Sequence, residues 1–140
     1  MLATPAQTDE LPALDEAFDK GVLIIETANN GCFRFDIYLA LTGAQQQRGL
    51  MFVRSLPQWT GMLFLYERAG VRSMWMKNAY IPLDIVFARG DGEVSSVAAN
   101  TEPLSLKSIS AIEPVNYVLE LNAGTAAYLG IDEGSRFIID

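Results

Sequence analysis

The chain has 140 residues, half of them apolar, and carries seventeen acidic against ten basic side chains for a formal charge of −7. That length suits one domain with a real core, and the acidic balance works against a nucleic-acid backbone or an anionic membrane as partner. With no histidine and a single cysteine, a serine–histidine triad, the usual zinc sites and an internal disulfide are all excluded, so no metal and no cofactor is expected.

Residues 1–20, "MLATPAQTDELPALDEAFDK", lack the basic start and apolar middle of an export signal and read as a flexible acidic leader. Residues 21–140 read as a single β-rich domain. No uninterrupted apolar run reaches the roughly 20 residues of a membrane span. "VLIIETA" (22–28), "NNG" (29–31) and "CFRFDIYLAL" (32–41) form a predicted hairpin in which Phe33, Phe35, Ile37 and Leu39 share a face. Cys32 lies in this β-like run and reads as buried packing rather than as a reactive thiol.

In "TGAQQQRGLMFVR" (42–54), Thr42 followed by Gln45 matches a capping box, which predicts a short helix over 43–53. Arg48 falls on its apolar stripe with Ala44, Met51 and Phe52, and a guanidinium there needs a partner. Gly49 inside such a helix costs about 1 kcal/mol relative to alanine and suggests a close approach. Strands are predicted at "GMLFLY" (61–66), "VRSMWMK" (71–77), "LDIVFA" (83–88), "EVSSVAA" (93–99) and "VNYVLEL" (115–121), with an Asp-Gly turn in "RGDGE". Residues 100–114 are the one long connection. "NAGTAAYLGIDEG" (122–134) predicts a second short helix, capped by asparagine and stopped by Gly130, before the final strand "SRFIID". The fold class expected is mainly β (α+β): an antiparallel barrel-like or sandwich-like sheet with two short helices.

The polar residues inside "SMWMKNAYIPLDIVF" (73–87) stand out from their apolar surroundings. If 72–78 and 83–89 pair as a hairpin, Lys77 faces Asp84 and Trp75 shares their face. Such a pair is either a cross-strand ion pair at a hairpin base, contributing about 0–1 kcal/mol, or part of a cleft wall joined by Arg48 and Asn78. Met51, Met62, Met74 and Met76 have aliphatic or aromatic neighbours, which favours core filling over Cu(I) binding. Glu120 alternates with Leu119 and Leu121 and reads as solvated, with a second cleft acid as the alternative.

Three blocks, "QRGLMFVRSLPQWTGMLFLY", "SMWMKNAYIPLDIVFARGDGEV" and "VNYVLELNAGTAAYLGIDEGSRF", together resemble the domain of unknown function 192 family from about residue 22 onward. The resemblance implies a compact, mostly β domain, often found in bacterial exported or lipid-anchored proteins, with no agreed activity or cofactor. Its polar motif residues correspond to Arg48, Lys77, Asn78 and Asp84. The chain departs from the pattern at Ala79, where threonine is common, and near residue 46, where an acidic residue often precedes the arginine. The function expected is a binding module, periplasmic or otherwise exported, holding an anionic or polyhydroxylated small ligand, or a peptide or glycan, in a cleft of Arg48, Trp75, Lys77, Asn78 and Asp84. An enzyme using Asp84 as general acid or base and a structural domain without a site are the alternatives. Nothing in the sequence sets an oligomeric state.

Overall fold

The structure, a computed structural model, describes residues 13–139. Helix α1 (13–17) leads into β1 (Asp19–Glu26), β2 (Cys32–Ala40), α2 (Gly43–Arg48) and β3 (Thr60–Gly70). The short β4 (Ser73–Met74) precedes β5 (Leu83–Ala88), β6 (Val94–Ala98) and β7 (Ile109–Ser110), and the chain ends with β8 (Val115–Asn122), α3 (Thr125–Leu129) and β9 (Arg136–Ile138). Seven strands form one sheet in the order β6-β5-β8-β3-β2-β1-β9, and β4 pairs with β7 in a separate ribbon. The two edges of the sheet meet through a Glu93–Arg136 bridge and the Phe137 N–H to Gly92 carbonyl bond, so the barrel is nearly closed. Gly92 is required there, because its φ is +90° and a Cβ would sit 2.3 Å from the Phe137 carbonyl oxygen.

The β1–β2 hairpin forms as the alternation predicts, with Ile25 opposite Phe33 and Leu23 opposite Phe35. One pairing differs from the antiparallel expectation: β2 and β3 run parallel, Asp36 beside Thr60 through Ala40 beside Phe64. The reason is the 41–59 connection, which contains α2 and returns the chain to the end from which β2 began, as a parallel pair demands. Thr42 and Gln45 form the predicted capping box, but α2 stops at Arg48 because Gly49 leaves helical geometry at φ +50°, ψ −133°. The expected helix over 43–53 is therefore half as long.

The leader expectation divides at residue 13. Residues 1–12 lie outside the described residues. From residue 13 the chain belongs to the domain, with Leu14 and Phe18 buried, the Tyr38 hydroxyl donating to Asp15 at 2.8 Å, and Gln45 Nε2 donating to the Ala17 carbonyl at 2.8 Å. This adds a third short helix to the two expected.

Both faces of the sheet are covered. Leu23, Ile25, Phe35, Ile37, Leu119 and Phe137 fill the barrel interior, while Met62, Phe64, Leu83, Ile85, Phe87 and Val118 pack outward against α1, the 50–56 segment and Met76. All six residues of β5 are consequently buried, Asp84 among them.

The hairpin between 72–78 and 83–89 does not exist. β5 pairs with β6 and β8, and only Ser73 and Met74 of the earlier segment adopt a strand, against Ser110 and Ile109. The central strand β8 takes the place beside β5 that sequence adjacency suggested for residues 72–78. Asp84, fully buried, points to the interior side with its neighbour Leu121. One oxygen accepts from the Asn100 N–H and the other from the Ala126 N–H, each at 2.9 Å. It thus caps the first turn of α3 from across the fold, because Gly124 at the N-cap supplies no side chain and Asn122 instead donates to the Leu56 carbonyl at 2.7 Å. Cys32 is exposed, not buried, at the outer start of β2.

Asp84→Ala should leave both N–H donors without an acceptor, at about 1–3 kcal/mol for a buried group. The expected loss in urea unfolding is about 1–3 kcal/mol, set mainly by the buried Ala126 N–H, with Asp84→Asn, which keeps one acceptor, losing less.

Candidate functional site

A recess of about 170 Å³ opens on the outer face of the barrel, between α2 with the turn after it and the 73–79 segment. Its floor is sheet: Phe64 and Tyr66 from β3, Leu83 from β5 and Glu120 from β8. Arg48, Trp75 and Lys77 also line it. Trp75 is 47% exposed and Lys77 is exposed, so both stand at the mouth, with the Lys77 ammonium 5.1 Å from the indole centre. Arg48 is half-buried and its guanidinium lies 5.4 Å from the Phe18 ring centre, which satisfies its apolar surroundings without an ion pair.

Glu120 is the residue that the sequence placed in water. It is paired laterally with Met62 and Ile85 and points to the same outer face as they do, but that face is a second core rather than solvent. Only 4% of it is exposed, and among the described residues no hydrogen bond or ion pair reaches its carboxyl group. Burial alone pushes its pKa from 4.5 up to about 8, so it is mostly neutral at pH 7. The Tyr66 hydroxyl beside it is also raised, first by burial, with Arg72 opposing and Glu120 adding to the shift.

Gly49 makes room for this carboxyl. A Cβ at Gly49 would come within 3.2 Å of the Phe64 ring and 3.8 Å of a Glu120 carboxyl oxygen. The close approach expected of this glycine is therefore real, and it occurs at a helix end rather than inside a helix.

Of the five residues expected in the cleft, Arg48, Trp75 and Lys77 meet in the recess. Asn78 does not line it; at φ +58° it turns the chain, its carbonyl accepts from the Phe52 N–H at 2.8 Å and its amide approaches Met51 sulfur at 3.9 Å. Asp84 lies on the opposite face of the sheet, one residue out of phase with Ile85 and hence with Glu120. The expected Lys77–Asp84 ion pair is absent for that reason. The 100–114 connection borders the Trp75 side through Leu106 and Ser108 and does not roof the recess. Two wider recesses, of about 470 Å³ beside β1 and β2 and about 430 Å³ beside Trp59 and Tyr128, hold no buried ionisable group without a partner.

The model of the domain of unknown function 192 family, described as "Uncharacterized ACR", matches residues 24–139. The chain belongs to this family. Among solved structures, a Sinorhizobium meliloti 1021 protein provisionally described as a transcription regulator is 38% identical with a TM-score of 0.84, covering 86% of this chain and 94% of that one. A protein of unknown function from Novosphingobium aromaticivorans DSM 12444 is 31% identical with a TM-score of 0.81, covering 99% of each chain. No curated protein matches. The family match agrees with the resemblance carried by the three sequence blocks, and the mostly β, barrel-like domain is the fold that resemblance implies.

Two expectations concern the floor of the recess. Because the folded state holds the Glu120 proton up to about pH 8 while the unfolded chain releases it near 4.5, the folded state binds more protons between these values. Its contribution to stability therefore falls as pH rises through that window, at about 1.4 kcal/mol per unit where the slope is full. Glu120→Gln, which mimics the neutral carboxyl, should lose this slope and exceed the parent in stability at pH 8 by a few kcal/mol in urea unfolding. Gly49→Ala should lose about 1–3 kcal/mol, since φ +50° strains any residue with a Cβ; an unchanged unfolding midpoint would mean that Phe64 and the backbone shift freely.

Proposed function

We propose that the protein is a small-ligand binding module whose site is the recess under Trp75. The observation that carries this is Glu120: a carboxyl 4% exposed, without a partner, set in the floor of an open recess. Burying most of it costs stability and, with no protein hydrogen bond in return, contributes nothing to the scaffold, while its oxygens keep contact with the recess. A ligand that supplies the missing hydrogen bond turns that cost into affinity. Arg48 and Lys77, neither in an ion pair among the described residues, offer donors to an anionic or hydroxyl-rich group, and the Trp75 indole offers an apolar face.

The size of the recess selects small molecules, since a cavity of about 150 Å³ accommodates one of benzene size. A formal charge of −7 and the presence of an acid in the floor disfavour a nucleic-acid partner of the kind suggested by the description of the S. meliloti relative. A second role is supported by the same carboxyl: a raised pKa suits a general acid or base near neutral pH, so an enzymatic function would rest on Glu120 and not on Asp84. Export of the protein, implied by the family resemblance, accompanies this proposal as the setting in which such a ligand would be met.

Titration with small carboxylates, amino acids and sugars, followed by calorimetry and thermal shift, tests the reading. Arg48→Met and Trp75→Ala should each weaken binding at least tenfold while changing stability by about 1 kcal/mol or less, the scale of an exposed cation–π contact. Strong destabilisation by Arg48→Met, with no ligand found across the panel, would instead assign these residues to the scaffold.

A further inference from the structure

We infer that the ligand of this recess is a small zwitterion of amino-acid size, its amine directed to Glu120 on the floor and its carboxylate to Arg48 and Lys77 at the mouth. This rests on the binding function proposed above and deepens it. The basis is the separation of charge within one small space. Glu120 has no ion pair, and neither Arg48 nor Lys77 is paired with it or with any other carboxylate among the described residues.

Once the Glu120 carboxyl gives up its proton, an acid at the base of the recess and two cations nearer its opening, unpaired with it, form a dipole. The molecule that complements it carries the opposite dipole, with a cation inward and an anion outward. The lining fits the rest of such a molecule, because Phe64 in the floor and Met74 beside it are apolar and would contact a short side chain. A simple anion would satisfy only the mouth and leave the buried carboxyl without a partner. A sugar would accept a hydrogen bond from the neutral carboxyl but make little use of two cations.

The proton balance distinguishes these cases. Glu120 is faced by Tyr66 from β3, Arg48 from α2 and Lys77 from the 73–79 segment, with Arg72 lying over the Tyr66 ring. Near pH 7 the carboxyl holds its proton and a ligand amine is already protonated, so pairing the two as carboxylate and ammonium expels the carboxyl proton to solvent. Binding of a zwitterion should therefore release protons near pH 7 and tighten as pH rises from 6 to 7. A ligand that accepts a hydrogen bond from the neutral carboxyl gives no release and weakens above pH 8.

The experiment is calorimetric titration of the whole chain with a panel of aliphatic and small polar amino acids, in buffers of differing ionisation enthalpy, alongside the matching carboxylic acids that lack the amine. At least one amino acid should bind with proton release and at least tenfold tighter than its amine-free analogue. Glu120→Gln, checked for folding by its thermal transition, should abolish the release. The pH dependence of the unmodified protein gives the same answer without any variant. Equal binding of an amino acid and its amine-free analogue, without proton release, would overturn the zwitterion and leave the binding site standing. Failure of every amino acid while a sugar or simple carboxylate binds would do the same. Failure of all three classes would remove the binding function itself.

Discussion

The central strands β5 and β8 are covered on both faces, and this two-sided burial governs what each polar residue on them must do. On most half-exposed sheets a carboxylate alternating with leucines points to water. Here the outward face carries a second hydrophobic layer, closed by α1, the segment after α2 and the loop around Met76. Any polar side chain on these strands therefore needs a partner in the fold, a partner from outside, or a change of protonation state.

Asp84 and Glu120 meet that requirement in different ways. Asp84 faces inward near a strand end, where two backbone N–H groups converge on it, one of them in the first turn of α3. Glu120 faces outward at a position where no donor is supplied, and it remains protonated to about pH 8. A single-residue step along paired strands separates the two faces, so two acids adjacent across β5 and β8 perform unrelated tasks. One is bound into the scaffold. The other is left available at the bottom of a recess.

The recess depends on a local accommodation in the covering layer. Gly49 ends α2 in a backbone conformation closed to other residues and lets the chain pass directly over Phe64 and the Glu120 carboxyl. Arg48 immediately before it lies over the Phe18 ring of the N-terminal segment, so a core residue of that segment also steadies a side chain that lines the recess. Under the proposed binding function, stability and recognition compete at this point. The unpartnered acid makes the folded state less stable near neutral pH, a cost characteristic of functional positions rather than of packing.

The sequence alone determined features whose physics is local. Period-two alternation gave the β1–β2 hairpin, the Thr42–Gln45 box gave the start of α2, Asp-Gly gave the β5–β6 turn, and "LDIVFA" gave a strand, though not that both of its faces are buried. The tripartite motif pointed to the family, and of its polar residues Arg48, Lys77, Asn78 and Asp84 the first two line the recess and the last two do not. Tertiary structure decided which strands became neighbours. Residues 72–78 and 83–89 are close in sequence, but β5 pairs with β6 and β8, and that pairing separates Lys77 from Asp84. It also converted Glu120 from an apparent surface residue into the floor of the recess. The burial of an alternate-face residue depends on what later and earlier segments lay over the sheet, and that long-range information is not carried by the periodicity of "VLEL" itself.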